Sequence, residues 1–525
     1  MEHERPDFIL NFQKPKNTEI KHINGHWYLY SRTSIYDKNT KKMHKKSGVL
    51  LGTITENGFV RKKPKIDSKC FENISVLEMG ATGYLWLKNQ EMRENLKTLF
   101  PDYWKEIFAI SVLRIVEGAR FKRIEDAYET SCLSVISPGL NLSSSKLATI
   151  LRTIGKRREA ISEFMKKSSD NLSSYMIFDG HRIISDSETL DMAQMGYDSR
   201  RRFKNQINLV YAFSISGERC FPYYYKQFSG DVPDITAFSA LVKEAGIEKK
   251  TLTVLADKGF ASEDNFTLME ENGFSYIIPI KRNTDDSKNN IPYTISEYDD
   301  VFSFNGRAVL HKEKQMVGYT IHLYMDSSLF SNELSDMTIR LEKKNNTIEV
   351  RKKAEENRRK EGKARLSDEE FNMLQPIAFK EEYSNRTGLG TLALRTNNPQ
   401  MNGAQIYYLY KRRQAIEEFF KTYDDSLDFS SSYMRDRYTE EAWLFLNHLS
   451  AIMAFSIIDE IYLKGRCKDI SLKDFISVMS KIHADKVDDL WYCEKLTKKR
   501  ADFSKSFDFD FSALIDVMNS TNSSD

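Results

Sequence analysis

Tyr175-Met176-Ile177-Phe178-Asp179-Gly180 is a β-prone run that stops on a carboxylate, and Leu252-Thr253-Val254-Leu255-Ala256-Asp257-Lys258-Gly259-Phe260 repeats the pattern later in the chain. Around them the apolar periodicity switches between strand and helix. Strands are expected at residues 175–178, 206–213, 220–228, 251–256 and 275–280, and helices at 235–245 and 262–272. This order, three strands in meander and then helix, strand, helix, strand, makes residues 173–289 a mixed α/β core. Residues 290–389 interrupt it with strand-like segments at 301–304 and 318–324 and a charged, helix-like stretch at 348–366. Between Arg340 and Arg365 there are 11 Lys+Arg against 5 Asp+Glu, the pattern of a solvated helix or of contact with a nucleic-acid backbone. The core resumes over residues 390–430, with a strand at 391–395 and a long helix from near Gly403.

Outward from this core, residues 1–86 read as a basic β module. His26-Trp27-Tyr28-Leu29-Tyr30, Ser47-Gly48-Val49-Leu50-Leu51 and Gly58-Phe59-Val60 are short β-prone runs separated by turns. Lys41, Lys42, Lys45 and Lys46 cluster in a loop between two of them, and Arg61, Lys62, Lys63 and Lys65 follow the last. Residues 1–65 carry 14 Lys+Arg and 6 Asp+Glu, a net +8 on a chain whose total is +3. A polyanion-binding module and a solvated terminus both fit that charge. Residues 87–172 have the period of amphipathic helices, with Ser143 to Ser145 as N-cap serines; a helical bundle is expected, with helix-turn-helix DNA binding as the alternative. Residues 431–525 are expected to be helical to about Val517.

Composition narrows the class. At 525 residues, 40% hydrophobic and 29% charged, the chain is a multidomain globular α+β protein. Its five cysteines are scattered, with no C-x-x-C pair, which argues against a disulfide framework and a zinc site. No leader is expected from the polar first residues. The most apolar run, residues 443–463, carries Asn447, His448 and Asp459, so a buried helix is expected there and not a membrane span. A cytoplasmic protein is expected.

Three acidic residues stand out. Asp179 and Asp257 end strands, and Glu417 shares a helical face with Tyr410 and Arg413, which precede it at i−7 and i−4. Each has an ordinary reading: Asp179-Gly180 as a hairpin turn, Asp257-Lys258-Gly259 as a strand terminator, Glu417 as a solvent-facing glutamate. Together, in an order of elements that resembles an RNase H-like sheet, they are able to hold a pair of divalent cations. Carboxylate oxygens suit Mg²⁺, with Mn²⁺ as a substitute.

The chain also resembles bacterial insertion-sequence transposases of the DDE type, in the group with a Y-x2-R-x3-E-x6-K signature and a β-rich insertion before the glutamate. Gly196-Tyr197-Asp198-Ser199-Arg200-Arg201, Phe228-Ser229-Gly230-Asp231-Val232-Pro233-Asp234, Leu255-Ala256-Asp257-Lys258-Gly259-Phe260 and Gly390-Thr391-Leu392-Ala393-Leu394-Arg395-Thr396-Asn397 carry the likeness in order, ahead of Tyr410, Arg413 and Glu417. The resemblance implies an RNase H-like core whose metal-binding triad is Asp179, Asp257 and Glu417, with Tyr410 and Arg413 on phosphates of the element's end. It implies cut-and-paste transposition by a homodimer acting on double-stranded DNA, both inverted repeats and target, near the bacterial nucleoid. Asp424 stands where the signature has lysine, and Lys421 is the nearest basic substitute. Asp234 is expected to cap the helix after it. A catalytically silent, transposase-derived DNA-binding regulator and a structure-specific nuclease without joining activity are the alternatives.

Overall fold

A computed structural model describes residues 5–37, 41–62, 75–118, 120–167, 173–197, 203–216, 219–247, 252–282, 284–288, 290–292, 294–384, 388–413, 416 and 431–521. The chain is mixed α/β and divides into two compact units. One comprises Met1–Tyr84, Glu129–Pro138 and Ser477–Asp525, the other Leu85–Tyr128 and Gly139–Ile476.

In the first unit, β1 (Thr18–Ile23), β2 (His26–Asp37), β3 (Lys42–Thr55) and β4 (Gly58–Arg61) form an antiparallel sheet in chain order. Asn24 (φ 50°) and Gly25 (φ 80°) turn β1 into β2, with Ile23 opposite His26, a two-residue turn open to side chains that tolerate positive φ. Ile9, Leu29 and Ile54 form its small core beneath Phe8, Phe12, Ile20, Trp27 and Leu51. The lysines differ from the expected loop. Lys42, Lys45 and Lys46 belong to β3, opposite Asp37, Ser34 and Thr33, and Lys41 alone of the four sits in the turn. The first eight residues of β3 are exposed, so these lysines ride on a solvated two-stranded ribbon. Arg61 ends β4 and Lys62 follows it; Lys63 lies outside the described residues.

The second unit is organised by an eleven-stranded sheet. Its strands are β6 (Tyr175–Ser185), β7 (Gln194–Tyr197), β8 (Phe203–Ser216), β9 (Arg219–Ser229), β10 (Thr253–Ala256), β11 (Ser275–Pro279), β12 (Asp300–Phe304), β13 (Arg307–Gln315), β14 (Thr320–Asp326), β15 (Thr391–Thr396) and β16 (Ser431–Ser432). The order is β12-β13-β14-β15-β11-β10-β6-β8-β7, with β9 also on β8 and β16 on β6. The strands flanking β10, namely β6 and β11, run parallel to it. Both their faces are covered, which is why Met176 to Phe178, Val254 to Ala256 and Tyr276 to Ile278 are unbroken buried apolar runs. Helices Asp234–Ala245 and Glu263–Glu271 make the two crossovers. Phe238 of the first meets the rings of Phe178 at 4.9 Å and Phe260 at 6.0 Å. The other face is occupied by helix Arg437–Leu463, whose His448 lies against Tyr211 and Tyr225. It is long and apolar enough to cross a bilayer, yet 67% of its most apolar window is buried, as a core helix requires.

Several boundaries depart from the sequence reading. β6 does not end at Asp179; it runs on to Ser185, with Asp179 opposite Tyr211 and Gly180 opposite Val210, so the hairpin-turn reading falls. The charged helix begins at Ser327 and spans 34 residues to Lys360, capped by the Asp326 carboxylate, which accepts from the amides of Ser328 and Leu329. The Ser144–Gly155 helix buries Leu147, Ile150, Leu151 and Ile154, as a bundle helix does; its N-cap Ser143 makes no side-chain cap. The C-terminal region is not all helical. β17 (His483–Val487) and β18 (Leu490–Cys493) form a hairpin in the first unit, and β17 pairs with β5 (Ser75–Glu78), a partner too distant in sequence for local periodicity to reveal.

Candidate active site

The site starts from a strand register. β6 and β10 are parallel with Thr253 level with Tyr175 and Ala256 level with Phe178. The next residue on each strand is therefore an aspartate, Asp179 on β6 and Asp257 just past β10. Asp257 keeps an extended backbone (φ −75°, ψ 164°) before the short turn Lys258–Phe260. Alternation along the strand puts both carboxylates on the face opposite Phe178.

Between them lies Arg413. Helix Gly403–Lys411 starts with a capping box in which Asn402 and Gln405 bond each other's backbone, and it ends in a turn where the Arg413 amide donates to the Tyr410 carbonyl at 3.0 Å. From that turn the guanidinium forks: Nη2 is 3.5 Å from Asp179 Oδ1 and Nη1 is 3.5 Å from Asp257 Oδ1. Burial works against its charge, but the two carboxylates and Tyr410 outweigh burial and hold its pKa above the ordinary arginine value. For Asp179 burial wins. It pushes the carboxyl up to about 6, Arg413 pulls it down, and Asp257 and Asp234 add to the rise.

Asp234 has a different place from the one its sequence position implied. Pro233 occupies the N-cap, and the Asp234 side chain makes no cap bond. Its Oδ1 accepts from Arg182 Nη2 at 2.9 Å and Asn208 Nδ2 at 2.8 Å, so its preferred partners come from β6 and β8 and not from its own helix. Gly180 separates it from Asp179: a Cβ there would stand 2.7 Å from the Asp234 carboxylate. Sequence reasoning missed this third carboxylate's surroundings, because only the fold brings Arg182 and Asn208 to it.

Of the residues singled out in the sequence, Asp179, Asp257 and Arg413 come together, and Tyr410 sits one turn before Arg413. Glu417 and Lys421 lie outside the described residues. The donor set fits a hard divalent cation. Among the described residues the two carboxylates share one guanidinium, while Asp234 is matched by Arg182, so there the pair keeps an excess negative charge and offers only oxygen. A second group with metal-ligand chemistry, His311, Glu313 and His322 on β13 and β14, is explained otherwise. His311 Nε2 and His322 Nδ1 are 2.9 Å apart, the ring centroids 5.2 Å apart and the planes within 14°. The nitrogens thus lie in line between nearly coplanar rings, a neutral imidazole–imidazole hydrogen bond with no room for an ion. Burial holds both imidazoles below the usual histidine range, His322 at about 4.

Residues 176–453 match the family described as Transposase DDE domain, from the start of β6 into the long core helix. No curated protein matches the chain. With the match covering more than half of the chain, and beginning on the strand that carries Asp179, the protein belongs to the DDE transposases, the enzymes of transposition in mobile elements.

Proposed function

We propose that this transposase cuts DNA at the ends of its element and joins the freed ends to a target, with Asp179 and Asp257 as the central carboxylates and Glu417 as the third. The observation that carries this is the β6–β10 register, which sets two carboxylates side by side on parallel strands of one sheet. The strand order around them supports an RNase H-like reading of residues 173–289 and 390–430, with residues 290–389 as the insertion and residues 431–525 as a flanking region. In the first step a water oxygen attacks the phosphorus at the element's end; the bond to the 3′ oxygen breaks and leaves a 3′-hydroxyl. In the second that hydroxyl attacks a target phosphate, so one phosphodiester forms as one breaks. A divalent cation pair, Mg²⁺ or Mn²⁺, supplies charge stabilisation at the attacking and leaving oxygens when bound. The protein's part is to fix the carboxylates by strand pairing, and to present Tyr410, Arg413 and Lys421 to phosphates.

The same reading gives the basic sheet of residues 1–86 (Lys41, Lys42, Lys45, Lys46, Arg61, Lys62, Lys63) and the helices of residues 87–172 to the inverted repeats. It pairs two copies of the chain on two ends, in the bacterial cytoplasm. Cleavage of DNA spanning the gene and its flanks tests it: wild type with Mg²⁺ or Mn²⁺ gives discrete cuts at repeat boundaries, and Asp257→Ala binds the ends but neither nicks nor joins. Metal-dependent cutting by a clean Asp257→Ala preparation would refute the assignment.

A further inference from the structure

Arg413 occupies the space between the paired carboxylates, and its hold on them is loose. Both N–O distances are 3.5 Å, long for a charge-assisted hydrogen bond, and its Nε is buried without a hydrogen-bond partner among the described residues. Asp179, with its side chain 15% exposed, is largely withdrawn from water, and the neighbouring Asp257 carboxylate, though 37% exposed, adds a like charge beside it, so the pair draws a counter-charge. Among the described residues the cation paired with both is Arg413, reaching in from the turn after its helix and not from the rigid sheet. A side chain so placed can leave without moving a strand.

We propose that Arg413 is an internal counter-cation that offsets part of the charge of Asp179 and Asp257 until a divalent cation replaces it, and that the released guanidinium then engages a DNA phosphate. This rests on the reading of the aspartates as cation ligands. Like charges exclude one another from the pair, so Arg413 and the metal compete. A phosphate that draws the guanidinium away strips the carboxylates of their counter-charge and raises their affinity for the metal. By linkage, the metal raises affinity for the DNA backbone by the same factor. The two binding events are thereby coupled through one side chain, and an enzyme without DNA is kept from loading tightly.

The test is Mn²⁺ binding to the full chain, followed by the electron-spin signal of free Mn²⁺, with and without a short random-sequence duplex at low salt. Wild type is expected to bind Mn²⁺ about fivefold more tightly once the duplex is present. Arg413→Gln is expected to bind about fivefold more tightly than wild type without DNA, and to respond little to the duplex. Equal or weaker Mn²⁺ binding by Arg413→Gln, in a preparation with a cooperative melt, overturns the proposal. If that variant does not fold, Arg413→Lys takes its place: one ammonium does not span both carboxylates, so tighter binding than wild type is expected and equal binding overturns it. Asp257→Ala separates the two layers of argument. Loss of Mn²⁺ there keeps the aspartate reading whatever Arg413 does, whereas unchanged Mn²⁺ binding removes that reading and the counter-cation with it.

Discussion

A single missing side chain shapes the site. Gly180 lets the Asp234 carboxylate approach one face of β6 while Asp179 projects from the other, and a methyl at Gly180 would stand 2.7 Å from that carboxylate. The collision involves a group held by Arg182 and Asn208, so the strand yields, and Asp179 moves with it. Displacements of this kind next to reacting groups are expensive in rate. Gly180→Ala is expected to slow single-turnover DNA cleavage by about tenfold or more while end binding stays close to wild type. An unchanged cleavage rate would show that the glycine is dispensable.

At the level of the element, helix Arg437–Leu463 buries a carboxyl that has no cation paired with it among the described residues. Burial pushes Glu440 up to about 8; a hydrogen bond from the Ser432 hydroxyl opposes the shift and the neighbouring Glu441 adds to it. Because the folded pKa lies above the ordinary value of 4.5, folding takes up a proton between the two. The stability this contributes is complete below the ordinary value and is lost as pH rises through about 8. Urea midpoints of wild type should therefore fall between pH 6 and pH 9, and Glu440→Gln should flatten that fall and be the more stable form at pH 9. Parallel curves for the two proteins would place the pH dependence elsewhere. Glu441, next along the helix, shows the contrast: it accepts from Arg158 Nη1 at 2.7 Å and from the Tyr225 hydroxyl at 2.9 Å, a buried charge with its partners supplied.

For the molecule as a whole, the basic ribbon and the acidic pair fall in different units. The N-terminal sheet holds the ribbon of exposed lysines, and the Asp179–Asp257 pair belongs to the other unit. If the ribbon meets DNA through phosphates, each lost contact lowers the slope of log affinity against log salt by about 0.9. Replacing Lys41, Lys42, Lys45 and Lys46 together by Gln is expected to weaken end binding at low salt and shallow that slope, with Mn²⁺ binding unchanged. A slope equal to that of wild type would mean that the ribbon points to solvent in the complex.

Local pattern was enough for most elements: the helices expected at 235–245 and 262–272 are Asp234–Ala245 and Glu263–Glu271, and the expected core strands start within a few residues of their expected positions, though β6 runs on to Ser185 and β7 was not foreseen. An apolar run closed on both faces, or a period of 3.6, is written in neighbouring residues. The candidate site was legible to the same depth, as two aspartates after two apolar runs. The tertiary structure decided what neighbours in sequence do not encode. The offset of β10 against β6 brings Asp257 level with Asp179, and the return of the chain after β15 lays Arg413 between them. Asp234 turns from its own helix to Arg182 and Asn208, and β17 finds β5 from the far end of the chain. Helix Ser327–Lys360 also outran its sequence signal, because it buries little beyond Met337, Leu341 and Glu355 and so carries almost no apolar stripe. Strand and helix propensity belong to the residue and its near neighbours; register and counter-charge belong to pairs that meet only after the chain has folded.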